Sequence, residues 1–393
     1  MEKTWRWFGK KDKITLAMLK QIGVEGIVTA LHDIPNGQVW PLEEVTGMRD
    51  YIKAAGLRWS VVESLPVSES IKYAGADREQ LIEHYIESLA NLGKAGIRTV
   101  CYNFMPVLDW VRTDLNYKWA DGTSSLYFNK IKFVYFDLYI LQRVGAEKAY
   151  TEEERILAGK MDESISEVEK HALIDTIIVK TQGFVNGNIK EGDKEPVAIF
   201  KRLLKLYEGM GREELRRNLR YFLERIMPVC RQYNISMCVH PDDPPCQLLG
   251  LPRIVTDEAD IEWILQAVDD PHNGLTFCAG SLSAGLQNDV PALARKFASR
   301  TKFVHLRSAH ALPNGDFIEA SHLEGRGQLI DVVRIFEKEN PALPMRIDHG
   351  RLMLDDAAKG YNAGYSFHGR MLGLAQIEGV MATVRNEIEN KRI

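Results

Sequence analysis

The sequence predicts an α/β fold that closes into a single (β/α)8 barrel, and three observations predict it. Short, apolar, β-rich runs alternate with longer amphipathic stretches almost throughout. There are eight such runs. The side chains best suited to chemistry stand where the later runs end, which is where barrels of this kind carry their sites. Strand–helix alternation implies a parallel sheet with right-handed crossovers, and eight units imply closure. A chain of 393 residues exceeds the usual domain size, but such barrels absorb this length in one domain, here 1–393.

Taken in order, the predicted strands are Thr4–Phe8, Gly26–Leu31, Leu57–Glu63, Thr99–Met105, Ser236–His240, Gly274–Ala279, Lys302–Arg307 and Pro344–His349. Between them, stretches such as Pro41–Ala55, Arg78–Ala95 and Ile261–Val268 repeat apolar residues at helical spacing. Gly56, Gly93 and Gly96 fall where helix C-caps are needed. One connection breaks the rhythm. After the fourth strand comes a long, mainly helical insertion at about 107–235, with a polar loop at Asn116–Ser125, a helical run at Thr151–Ile174 and one long helix from about Glu195 to Tyr233. Its helices are candidates for capping the barrel mouth or for a homo-oligomer contact, and the plainer reading gives the insertion no part in catalysis.

Composition narrows the function. The 50 basic and 54 acidic residues are spread along the chain, for a net charge of −4, with no basic stripe for nucleic acid. A small molecule is the expected partner. Five cysteines, at 101, 230, 238, 246 and 278, are odd in number and irregular in spacing, which suits reduced thiols better than a disulfide framework. No apolar signal core opens the chain and no window is apolar enough to span a bilayer, so no membrane association and a cytoplasmic setting are expected. The sequence contains no Gly-x-Gly-x-x-Gly after a strand, no Walker loop and no Gly-x-Ser-x-Gly elbow. Dinucleotide redox chemistry, nucleotide hydrolysis and serine hydrolysis drop out as leading readings.

Reading the later strand ends in order gives Asn103, then Cys238 and His240, then Cys278, then His305 and Arg307, then Asp348 and His349. His240, Cys278, His305 and Asp348 follow one another at about the length of one strand–helix unit, so each neighbouring strand contributes one group of metal-ligand type. Singly, each has a bland explanation. A lone cysteine in Leu-Thr-Phe-Cys-Ala is usually a small buried hydrophobe, a strand histidine is usually hydrogen-bonded in the core, and Asp348 could cap the next helix. Four together at one end of an apolar barrel are harder to dismiss, because each unpaired polar group would cost several kcal/mol that a shared cation offsets. Two imidazoles, a thiolate and a carboxylate are too soft a set for magnesium or calcium. They suit manganese or ferrous iron, Mn2+ or Fe2+, with zinc also compatible by ligand type.

The run His240-Pro-Asp-Asp-Pro-Pro reads as a stiff loop in which Asp242 or Asp243 orients His240. His349 at the ragged end of the last strand is a candidate acid or base, and Tyr365 in Gly-Tyr-Ser supplies a phenol from a loop. Arg307 and Arg351 are the candidates for binding an anionic group bidentately. His310, His322 and Glu324 follow the seventh strand and overlook the mouth; His322 is the one carried forward, with Asn103, as a substrate contact. His32, His84, His171 and His272 fall on helices or early loops and are expected at the surface.

These residues, in this order, resemble the mannonate dehydratase family. The resemblance runs from Trp5-Arg6-Trp7-Phe8-Gly9 and Ile27-Val28-Thr29-Ala30-Leu31-His32 through Cys101-Tyr102-Asn103-Phe104-Met105-Pro106 with Asp109-Trp110. It continues in His240-Pro241-Asp242-Asp243-Pro244-Pro245, Phe277-Cys278-Ala279-Gly280-Ser281, Val304-His305-Leu306-Arg307, Glu319-Ala320-Ser321-His322 and Asp348-His349-Gly350-Arg351, and ends at Gly364-Tyr365 and Gly369-Arg370. It implies a xylose-isomerase-like TIM barrel holding Mn2+ or Fe2+ and converting D-mannonate to 2-dehydro-3-deoxy-D-gluconate and water, a step of hexuronate catabolism. It implies His240, Cys278, His305 and Asp348 as metal ligands and His349 with Tyr365 as the acid/base pair. The alternatives are a sugar isomerase or epimerase on the same barrel, against which the cysteine ligand speaks, and a non-catalytic sugar-acid binding protein.

Overall fold

The computed structural model describes residues 1–182, 189 and 192–390. Eight parallel strands form a closed barrel in the spatial order β1-β12-β9-β8-β7-β4-β3-β2. They are β1 (Glu2–Arg6), β2 (Gly26–Thr29), β3 (Arg58–Glu63), β4 (Thr99–Tyr102), β7 (Ser236–Val239), β8 (Asn273–Cys278), β9 (Thr301–Leu306) and β12 (Pro344–Ile347). Each of the eight expected runs overlaps one of them, and most strands stop one to three residues before the expected end. The side chains predicted at strand ends therefore stand on the first residues of the loops, where backbone geometry is freer to aim them.

Alternation along the strands builds the barrel in tiers. Val28, Val61, Cys101 and Phe303 form an apolar cluster inside it. Two residues further along three of these strands come Glu63, Asn103 and His305, and with them the interior turns polar. The opposite faces carry Trp5, Ile27, Val62, Leu275, Val304, Met345 and Ile347 into a larger core shared with the surrounding helices.

A second sheet, of order β10-β11-β6-β5, stands apart from the barrel. Strands β5 (Asp114–Lys118) and β6 (Ser124–Phe128) form a hairpin at the start of the insertion, and β10 (Ala309–Ala311) and β11 (Phe317–Glu319) come from the loop after β9. Here the expected polar loop at Asn116–Ser125 is corrected. Asp121-Gly122, with Gly122 at φ +84°, makes the reversal, and the flanking residues alternate so that Tyr117 packs edge-on against Tyr127 at 5.1 Å. The sheet is antiparallel, with Phe317 opposite Phe128 in register and their rings stacked at 5.3 Å.

Two helical expectations are also corrected. The run at Thr151–Ile174 is two helices, Glu152–Asp162 and Glu167–Ile174, because Ser166 and Glu169 form a second capping box after that of Thr151 and Glu154. The long helix is likewise two, Pro196–Lys205 and Arg212–Tyr233, interrupted where Gly209 turns the chain at φ +80°. The insertion packs around its own apolar core, in which Phe128, Phe133, Phe136 and Phe200 meet Leu248 and Leu251 from the loop after β7 and Phe317 from β11.

No described helix is long and apolar enough to cross a membrane. All five cysteines are free thiols, four of them buried. His32 and His171 are exposed, whereas His84 and His272 are partly buried, bonded to Gly37 O and Asp270 respectively.

Candidate active site

A cavity at the C-terminal end of the barrel is lined by Arg6, Glu63, Asn103, Asp109, Trp110, His240, Asp243, Arg346, Asp348, His349 and Tyr365, among others. Three side chains converge at its base. His240, Cys278 and His305 each offer a ligand atom, and these atoms lie within 4.8 Å of one another. Register explains the convergence: Cys278 is the residue opposite His305 across β8 and β9, and the His240 amide, just past β7, is anchored on the Tyr102 carbonyl at 2.8 Å.

His240 Nδ1 donates to the Pro241 carbonyl at 2.6 Å, which leaves Nε2 facing His305 Nδ1 at 3.2 Å. Two nitrogens each about 2.0–2.1 Å from one ion at a tetrahedral angle stand about 3.3 Å apart. The pair therefore fits a shared cation. Cys278 caps the short helix Ala279–Ser283, accepting from the Ser281 amide at 3.4 Å and its hydroxyl at 3.1 Å. Burial works to raise this thiol, but Arg307 and His240 outweigh it and hold the group well below the ordinary thiol range. The thiolate is the form that binds a metal. Asp348 Oδ2 lies 3.9 Å from Cys278 Sγ and 4.0 Å from His305 Nδ1. It stands just outside the tight trio because Arg346 and Arg307 Nε (3.2 Å) also draw on its oxygens. Burial opposes its charge, while Arg346, His349 and Arg307 hold the carboxyl far below its usual range.

Above this base sit His349 and Tyr365, their rings edge to face at 5.0 Å. Trp110 packs against the other side of the imidazole at 5.3 Å. His349 Nδ1 lies 2.9 and 3.0 Å from the two oxygens of Glu319. Arg307 Nη1 also lies 3.0 Å from Nδ1, but it donates to Glu319 at 2.7 Å. A carboxylate can only accept, so the contact to Glu319 places the proton on Nδ1 and leaves Nε2 without one. The Tyr365 phenol is pushed up to about 12, first by burial, with Arg346 opposing and Asp348 adding to the shift. Tyr361, four residues earlier, lines a different depression with Lys13 and Asn362.

The expected substrate contacts separate. Asn103 lines the cavity and donates to Asp109 Oδ2 at 2.5 Å. Arg307 is committed elsewhere. Its Nη1 donates to Glu319 at 2.7 Å and its Nη2 to Asp243 at 2.6 Å, and Arg112 bonds the same two carboxylates at 2.6 and 2.8 Å. This buried quartet of two cations and two anions braces the loops after β4, β7 and β9. Arg351 lies outside the cavity, where it holds the tip of the hairpin through Asp121 at 3.0 Å and stacks over Trp119 at 4.3 Å. His322 is buried against Gly373 behind the cavity rather than in its lining, and burial pushes its pKa down to about 4. His310 packs near Trp119, and Glu324 pairs with Arg351 at 3.6 Å.

The loop aspartates do not orient His240. Asp242 accepts from Val255 N at 2.8 Å and pairs with Arg253 at 3.3 Å, and Asp243 belongs to the quartet. The carbonyl of Pro241 does that work instead, because the proline-stiffened backbone already places an acceptor beside the ring.

Sequence reasoning passed over Arg6, Glu63, Arg346, Arg112 and Glu319. Arg346 donates to both oxygens of Glu63 at 2.9 Å and to Asp348. The signal was present: Arg346 and Asp348 share one face of β12, and an arginine inside an apolar strand needs an acid across the barrel. Arg6 and Glu63 end β1 and β3, whereas the reading of strand ends began at the fourth. Arg112 and Glu319 meet only through tertiary structure.

A family model for D-mannonate dehydratase (UxuA) matches residues 1–391. The chain is 44% identical over 390 residues to a mannonate dehydratase of Marinomonas sp. (strain MWYL1), covering 97% of this chain and 98% of that one. It is 42% identical to a mannonate dehydratase of Chromohalobacter salexigens, covering 98% and 99%. Among solved structures, the mannonate dehydratase of Streptococcus suis serotype 2 superposes with a TM-score of 0.79 at 32% identity, covering 99% of this chain and 96% of that one.

Proposed function

The chain belongs to the D-mannonate dehydratase family, and from that premise we propose how its residues eliminate water from D-mannonate to give 2-dehydro-3-deoxy-D-gluconate. The observation that carries the reading is the edge-to-face pairing of His349 and Tyr365 within one cavity, directly above a ligand cluster.

Elimination requires a proton to leave C2 and a hydroxyl to leave C3. His349, with its Nδ1 proton engaged by Glu319, presents a basic Nε2 that takes the C2 proton. The C2–H electron pair becomes the C2–C3 double bond as the C3–O bond breaks. Tyr365 holds its phenolic proton until then, being pushed up to about 12, and gives it to the departing hydroxyl, so that water leaves. The enol then ketonises to the 2-oxo acid, with C3 taking a proton as the enol hydroxyl loses one. Proton return from imidazolium to phenolate restores both groups. Trp110 holds the imidazole from its far face and excludes water from that side.

His240, Cys278 and His305, with Asp348 beside them, would hold the divalent cation, Mn2+ or Fe2+ by the mixture of thiolate, imidazole and carboxylate. Such a cation supplies Lewis acidity toward the substrate oxygens and the enolate-like charge. Five unpaired thiols suit a cytoplasmic setting.

The test is direct. Reduced protein incubated with D-mannonate, with and without added manganese or ferrous ion, should form a 2-oxo acid one water lighter than the substrate. A product of unchanged mass would instead indicate an isomerase or epimerase, and binding without consumption would indicate a silent sugar-acid receptor.

A further inference from the structure

We infer that Arg6 is the residue that binds the substrate's carboxylate, an inference that rests on the dehydratase reading of this cavity. Neither arginine expected for that task lines the cavity. Arg307 is paired with Asp243 and Glu319, and Arg351 with Asp121 and Glu324. Although Nε of each lacks a hydrogen-bond partner, as that of Arg6 does, neither guanidinium faces the cavity. The lining contains two arginines, Arg6 and Arg346. Arg346 spends its guanidinium on Glu63 through Nε and Nη2, both at 2.9 Å, and on Asp348 through Nη1. Every nitrogen of the Arg346 guanidinium therefore already has an anionic partner.

Arg6 differs. It ends β1, and alternation from Thr4 turns it into the barrel while Trp5 faces the helical layer under Arg370. Only 7% of it is exposed. Among the described residues its single ion pair is to Glu63 at 3.4 Å, and its Nε has no hydrogen-bond partner. Glu63 is already neutralised bidentately by Arg346, so the second cation on it is surplus. A buried guanidinium with donors to spare costs free energy unless something anionic arrives to accept from it. A carboxylate matches its planar fork in shape and charge.

The position is also chemically apt. Arg6 lies over the Phe8 ring at 5.3 Å, Phe8 meets Tyr365 edge-on at 4.9 Å, and Tyr365 meets His349 at 5.0 Å. A carboxylate held by Arg6 is therefore fixed on the wall that carries the acid/base pair, which brings the adjacent carbon, C2, toward that pair.

The experiment compares D-mannonate with neutral D-mannonamide, which differs only in lacking the negative charge, as ligands of metal-replete protein by calorimetry, alongside steady-state kinetics. The wild type should prefer the acid by about 10–100-fold, the range of one charge-assisted pair. Arg6→Ala should abolish that preference and raise KM for mannonate by a similar factor, with a smaller change in kcat. Arg6→Lys, which keeps the charge in smaller volume, should recover part of the preference and is read instead if the alanine variant does not fold. A loss of stability alone would not move the ratio of the two affinities. The inference is overturned if a folded Arg6 variant keeps the wild-type preference, or if the wild type has none. Failure of wild-type protein to dehydrate mannonate counts against the dehydratase reading, and the acid-over-amide ratio still decides the role of Arg6. Binding of neither ligand overturns both.

Discussion

Glu319 at the end of β11 and His349 in the loop after β12 meet with Nδ1 of the imidazole 2.9 Å from one carboxylate oxygen and 3.0 Å from the other. Glu319 is in turn held by Arg112 and Arg307, so the tautomer of His349 is set by a rigid, buried scaffold rather than by the substrate. Glu319→Gln keeps the shape and removes the charge. Its amide can present either end to Nδ1, and kcat should fall by about 10–100-fold with KM little changed, in line with losses on mutating a partner that orients a functional histidine. An unchanged kcat would show that the tautomer does not matter.

His349→Asn and Cys278→Ala should fail in different ways. The first removes the base and should leave bound metal at its normal stoichiometry with turnover lost. The second removes a thiolate from the ligand trio and should lower metal content in dialysed protein, with activity returning in part at high added metal. Metal analysis beside a single activity assay separates the two, and equal metal content in both variants would remove Cys278 from the ligand set.

Acid should destabilise the fold through the quartet. Burial raises the Glu319 carboxyl, but His349, Arg307 and Arg112 outweigh it and bring it down from 4.5 to about 2. Because the folded value is the lower one, the stabilisation is complete above pH about 4.5 and is lost as pH falls from there toward 2. The loss is on the order of 3 kcal/mol. Denaturant midpoints measured between pH 6 and 3 should drop through this window, and Glu319→Gln should flatten its share of the slope.

Gly364 stands at φ +81°, and a Cβ built there would lie 2.8 Å from Cγ and Cδ2 of His349. Gly364→Ala therefore combines backbone strain with pressure on the ring that must hold its place. The expected result is at least a tenfold lower kcat together with a lower melting temperature, while metal content stays normal. Wild-type kcat in this variant would mean that the imidazole has more freedom than its packing suggests.

Gln182 links the insertion to the site. Its side chain accepts from Asp109 N and donates to Trp110 O, both at 2.8 Å, pinning the backbone of two cavity-lining residues. Gln182→Ala should raise KM several-fold and shift the fluorescence of Trp110 as its packing on His349 loosens. A variant with unaltered KM and emission would return the insertion to a passive role.

The barrel was legible because its strands are short apolar runs punctuated by glycine and separated by amphipathic stretches, and these signals are local. The cluster of His240, Cys278 and His305 was legible for the same reason: one group per strand end, in order. The hairpin at β5–β6 was obscured by its polar residues, although Asp121-Gly122 between alternating aromatics marks a reversal. Arg112 with Glu319, and Arg346 with Glu63, were hidden for a different reason. Each pair joins residues about 200 or more positions apart, and no local pattern in either partner names the other. The pairing of Arg307 and Arg351 with carboxylates was hidden too, because a guanidinium near a site looks available until those carboxylates are found.

The four-stranded sheet has a bearing on any attempt to shorten this protein. Its two hairpins come from opposite sides of the chain, one from the insertion and one from the loop after β9. Excising residues 112–235 to leave a minimal barrel would strip β11 of the partner that faces Phe317 and Ile318. The same cut would take away Arg112 and leave Glu319 with one cation instead of two. The excursion is thus wired into the reaction centre from behind, and a trimmed barrel would keep its ligands while losing the bracing that tells His349 where to point.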